Sequence, residues 1–80
     1  MPKLKILSGK DIVEIFQNFG FSIIGQKGSH VKLGRHLSNT RQTLTIPNHK
    51  ELDKGTVKAI YNQAMRYISD GELKKYFYSE

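Results

Sequence analysis

The stretch Lys27-Gly28-Ser29-His30-Val31-Lys32-Leu33 sets a histidine just past a glycine turn, with lysines on both sides. An unperturbed imidazole titrates near pH 6.5, which suits it to moving a proton at working pH. Lysines supply positive charge to an anionic transition state. Glycine allows a close backbone approach, so the N–H groups of the Gly28-Ser29 turn can face an anion. These are the parts of a metal-free phosphodiester site. RNA carries its own nucleophile, the 2′-hydroxyl; its cleavage needs a base, an acid for the leaving 5′-oxygen, and charge at the phosphorus. His30 is the candidate acid/base. The ordinary alternative is a solvent-facing histidine on a strand, and a Gly-Ser-His string is weak alone.

Two more histidines compete for a role. His49, just after Pro47, is a candidate second proton donor or orienting group. His36 lies in a polar stretch and reads as a loop residue. The three histidines are 6 and 13 residues apart on separate elements, which matches no compact zinc motif, and the chain has no cysteine. No metal and no cofactor are expected. Ser29 reads as a turn residue that helps aim His30, because no Asp or Glu stands near it to make a nucleophile.

The charge pattern supports an anionic ligand. The formal net charge is +6, with pI about 9.7. From Ile15 through Lys50 there is no Asp or Glu, and Lys27, Lys32, Arg35, Arg41 and Lys50 all fall inside that window. A basic domain of this size meets nucleic acid, lipid headgroups or an acidic protein. Lys27 and Lys32 are the first candidates for RNA backbone contact, with Arg35 and Arg41 behind them. Such contacts position RNA without reading its sequence.

Eighty residues make one small domain, 1–80. A chain this short buries only about 60 to 65% of its unfolded surface. No apolar run approaches the roughly 20 residues of a membrane span, and the N-terminus is not expected to be a signal peptide. Cytoplasmic localisation and no membrane contact are expected.

The surrounding elements must position the turn. Ser8 can cap a first helix, with Asp11 three residues on. Ile12, Ile15, Phe16 and Phe19 give it one apolar stripe, and Gly20 stops it as a left-handed glycine with Phe21 folding back. A strand is expected over 21–26 and another over 30–33, then a polar loop over 34–41, then a strand over 42–46 ended by Pro47. Val31, Leu33, Leu44 and Ile46 should face the core, leaving His30, Lys32, Thr43 and Thr45 on the open face. A second helix begins near Asp53 or Lys54. Ser69 and Glu72 open a short third helix, and the tail from Tyr78 to Glu80 should fray. The order is α-β-β-β-α with a short extra C-terminal helix. It is an α+β fold: a three-stranded antiparallel sheet with helices on one face.

These residues resemble, in order, the HicA family of toxin ribonucleases, the small mRNA-cleaving partners of HicB antitoxins. The first helix ends in Gly20-Phe21. The Gly28-Ser29-His30 turn follows, then Val31-Lys32-Leu33. Pro47-Asn48-His49 matches a later Pro-x-His, and Lys54-Gly55-Thr56-Val57 through Ile60 matches the second-helix start. Ile68-Ser69 with Glu72-Leu73 completes a resemblance spanning residues 8 to 77. Two departures are visible: Met65-Arg66-Tyr67 stands where a glycine joint is common, and the stretch after Gly34 carries the additional His36. The resemblance implies a fold similar to a double-stranded-RNA-binding domain, mRNA cleavage with His30 as the catalytic histidine, and a HicB-like acidic antitoxin covering the His30 face. The alternative function is a non-catalytic module that binds double-stranded RNA by shape. Such modules use a lysine-rich second-helix start, whereas here Lys54 and Lys58 stand beside Glu51 and Asp53.

Overall fold

A computed structural model describes residues 2–79. The elements run β1 (Lys3–Leu4), α1 (Gly9–Asn18), β2 (Ser22–Lys27), β3 (His30–Leu37), β4 (Thr40–Pro47), α2 (Lys54–Ala64), α3 (Asp70–Phe77) and β5 (Tyr78–Ser79). Strands β2, β3 and β4 form an antiparallel sheet in sequence order. This is the expected α+β fold, similar to a double-stranded-RNA-binding domain, with a short C-terminal helix.

Local chemistry sets the helix ends. Ser8 Oγ accepts from the Asp11 N–H, and the Asp11 carboxylate accepts from the Ser8 N–H, both at 3.0 Å, so the capping box is complete. At the other end Gly20 takes φ +93°, its N–H donates to the Gln17 carbonyl, and the Phe21 N–H donates to the Phe16 carbonyl. That is a Schellman motif, and the Phe16 and Phe21 rings close it in a 5.8 Å edge contact. Asp53 caps α2 and Ser69 caps α3, the latter accepting only from the Glu72 N–H.

The core lies between one sheet face and the helices. Val31, Leu33, Leu44 and Ile46 point into it, as expected, against Ile12, Phe16, Val57, Ile60 and Ala64. Leu73 and Phe77 of α3 are fully buried in the same core. Tyr61 is buried against Phe77, and its hydroxyl donates to the Asp70 carboxylate. Burial, then that bond, pushes the Tyr61 phenol above its ordinary range.

Two expectations are corrected. Residues 34–41 are not a loop. They are the ends of β3 and β4, joined by Ser38-Asn39 with φ +51° and +65°. Two successive left-handed residues make a type I′ hairpin turn, which carries the ladder to Leu37 and Thr40. The tail does not fray through Ser79: Lys3 and Leu4 pair with Ser79 and Tyr78, and the Tyr78 ring packs on Tyr61. Glu80 lies outside the described residues.

Candidate active site

His30 is the first residue of β3 and pairs directly with Lys27, the last of β2. Only Gly28 and Ser29 separate them, and Gly28 takes φ +59°. A positive φ at the first of two loop residues is the type II′ requirement, which glycine meets without strain. Gln26 Nε2 donates to the Gly28 carbonyl at 3.2 Å, bracing the turn. The Asn48 N–H donates to the Ser29 carbonyl at 2.6 Å, tying the turn to the segment after β4.

That segment is held in turn by the start of α1. The Gly9 N–H donates to the His49 carbonyl at 2.9 Å. A Cβ on Gly9 would overlap the Pro47 carbonyl oxygen and crowd Asn48 Cα, so only glycine allows this approach. His30 is thus placed by a relay from α1 through Pro47-Asn48-His49 to the Gly28-Ser29 turn. Gly9 carries a signal in the sequence, a glycine inside the Ser8–Asp11 capping box where no φ > 0 is needed, but nothing local says what it makes room for.

Cross-strand pairing sorts the remaining candidates. His30 stands between Lys27 and Pro47, Lys32 opposite Thr45, and His36 opposite Arg41. Directly paired residues share a face, so Lys27, His30, Lys32, His36 and Arg41 all stand on the face away from the core. No Asp or Glu occurs in any of the three strands. Arg35 points the other way. Its Nη1 donates to the Phe19 carbonyl at 2.6 Å, its Nε donates to Gln42 at 2.8 Å, and its guanidinium lies 4.7 Å from the Phe21 ring centroid. Arg35 therefore completes the C-terminus of α1 rather than joining the basic face. His49 is exposed on a separate hollow with Ser8, Lys10 and Lys50.

His30 also lines a groove of about 450 Å³ between β4 and α2, together with Thr45, Pro47, Asp53, Thr56 and Gln63. Hydrogen bonds from the Thr56 hydroxyl, then from its backbone N–H, hold the Asp53 carboxyl below the usual carboxylate range. The Thr45 N–H, on the free edge of β4, donates to Gln63 Oε1 at 3.4 Å. Sequence reading singled out neither Asp53 nor Gln63 for the site, because only the docking of α2 along β4 brings them there.

The fold and the site define a class: a small α+β protein, similar to a double-stranded-RNA-binding domain, with a histidine at a glycine turn on a basic sheet face. The model of the HicA toxin of bacterial toxin–antitoxin systems matches residues 9–65, and the chain belongs to that family. Membership gives it a toxin role with an antitoxin as counterpart. Searches of curated proteins and of solved structures return no match. No helix among the described residues is long and apolar enough to cross a membrane.

Proposed function

We propose that this toxin is an endoribonuclease that cleaves mRNA without a metal, with His30 as general acid/base. The observation that carries the reading is the Lys27–His30 pair at the Gly28-Ser29 turn, on a sheet face without carboxylates. In the reaction the 2′-oxygen bonds to phosphorus and the P–O5′ bond breaks. One proton leaves the 2′-hydroxyl and one reaches O5′. His30 serves this transfer; His49, on its separate hollow, assists through its carbonyl, which accepts from the Gly9 N–H and steadies the segment bonded to the turn. Lys27, Lys32 and the N–H groups of the Gly28-Ser29 turn offset the charge that builds on the phosphorane oxygens. Arg41 extends the track for RNA backbone along the sheet.

The duplex-binding alternative is disfavoured by the ionised Asp53 at the start of α2, where a duplex phosphate would sit. An acidic antitoxin that buries the Lys27–His30–Lys32 row is the expected inhibitor; charge complementarity supports it. The test uses an RNA oligonucleotide with a mapped cut site, assayed in EDTA. The wild type should cut it, and one 2′-deoxy substitution on the 5′ side of the cut should block cleavage. Equal cutting of the deoxy substrate, or loss of all cutting in EDTA, would contradict the mechanism.

A further inference from the structure

We infer that the groove between β4 and α2 is a base-binding subsite next to the scissile phosphate, and that Gln63 reads the base there. The inference rests on the ribonuclease reading of His30 and names how that site selects its RNA.

His30, with its strand neighbours Thr45 and Pro47, belongs both to the basic sheet face and to the groove, and it is the titratable group at that border. The two sides of that border differ in chemistry. The sheet side carries Lys27 and Lys32. The groove is lined by Pro47, Ala59 and Ile60, and its one acid or lysine/arginine group is the Asp53 carboxylate. That carboxylate stays ionised, because Thr56 stabilises its charged form. A phosphate is repelled from the Asp53 end of the groove and drawn to the lysines. An uncharged planar base, with an apolar face and polar edges, matches the groove instead. RNA crossing His30 would thus lay its backbone on the sheet and turn one base toward α2. A volume of about 450 Å³ is ample for one nucleobase.

Gln63 is pre-organised for readout. Its Oε1 is held by the Thr45 N–H at 3.4 Å, a donor on the edge strand β4. A backbone N–H cannot accept, so the amide must present oxygen to Thr45 and keep Nε2 as the donor that remains available. The groove thus has a donor at Gln63 and an acceptor at Asp53. Ten residues of helix separate them, about 15 Å at 1.5 Å per residue. One base can therefore meet one of these groups, and Gln63, bonded to Thr45 two residues from the His30–Pro47 pair, is the uncharged one that offers a donor.

The experiment sequences the cleavage sites of a randomised RNA pool cut by wild type, Gln63→Glu and Gln63→Met. Glutamate keeps the oxygen that accepts from Thr45 but has no N–H to donate. Its added charge weakens all substrates together and cancels in the ratio between bases. The wild type should show a base bias at one position beside the cut. Gln63→Glu and Gln63→Met should each change that bias by about five- to thirty-fold, the range of one lost hydrogen bond to a base. An unchanged bias in both folded variants would overturn the inference. If the wild type cuts no RNA, the ribonuclease reading has failed, and the groove is judged by binding alone. Amide NMR shifts at Thr45 and Gln63 on adding 2′-O-methyl oligonucleotides would then support a base subsite, and unmoved amides would overturn it.

Discussion

At the residue scale, the site is a division of labour between side chains that point out and side chains that tie down. Lys32 stands two residues from His30 on the same face, paired with Thr45 and free of any ion pair among the described residues. Its expected role is to hold RNA backbone. Lys32→Gln should therefore weaken RNA binding across sequences and lower the salt dependence of affinity by about one unit of slope, measured by titration at several salt concentrations. An unchanged slope would remove Lys32 from the interface. The shared face of His30, Lys27 and Lys32 was legible in the sequence because a turn glycine and period-2 alternation fix a face. Arg35 was not. It lies in the same acid-free window, but a contact 16 residues away, at the end of α1, turns it inward. Alternation would have assigned it to the core side; its charge argued for solvent, and tertiary contact settled the matter.

At the element scale, the Gly28-Ser29-His30 turn is only as well placed as its supports. The hairpin β2–β3 is pinned by Asn48, and that segment by Gly9 at the start of α1. Gly9→Ala forces a methyl group into the Pro47 carbonyl, and backbone cannot move aside as a side-chain tip can. The variant should lose about 1 to 3 kcal/mol of stability, the cost of overpacking a close contact. It should also lose cleavage beyond its loss of folded protein, as the Ser29–Asn48 bond shifts. Denaturant titration beside rate measurement on the folded fraction separates the two effects. A stable, fully active variant would break the relay. Helix positions were readable because caps and apolar stripes are local signals, and Ser8, Gly20 and Ser69 behave as such. The β3–β4 tip was misread as a loop because Ser38-Asn39 lacks the glycine that usually marks a type I′ turn, and because Arg35, His36 and Arg41 make the strand ends polar. The short β1–β5 pair has no pattern of its own; two-residue strands form only once α3 returns the chain to the N-terminus.

At the scale of the whole molecule, the family match ends at residue 65, yet Ile68, Leu73 and Phe77 belong to the same buried core. The last helix is part of the structural unit that holds the sheet. Its start is also one of three places where a carboxylate contributes to stability. Bonds from Ser8 hold Asp11 low, bonds from Thr56 hold Asp53 low, and the Tyr61 hydroxyl holds Asp70 low. A carboxylate with a lowered folded pKa stabilises the fold above its ordinary value near 3.9, and that contribution vanishes as pH falls through the lowered value. From these groups the melting temperature should be flat between pH 7 and about 5, and should fall below about pH 4. Thermal melts across that range check it; a melting temperature that rises on acidification below pH 4 would contradict these assignments. The fold's antiparallel order and its covered face could be argued from sequence, whereas the groove beside His30 could not, since it exists only where α2 lies against the edge of β4.

The most direct test of His30 as the centre of the site compares purified wild type with His30→Ala, in EDTA, on the same mRNA at equal folded concentration. The wild type should cut the message, while His30→Ala should bind it with similar affinity and lose cleavage by at least about a hundredfold, the low end of what a positioned acid/base contributes. Full cleavage by folded His30→Ala would show that the Gly28-Ser29-His30 turn is not the active site.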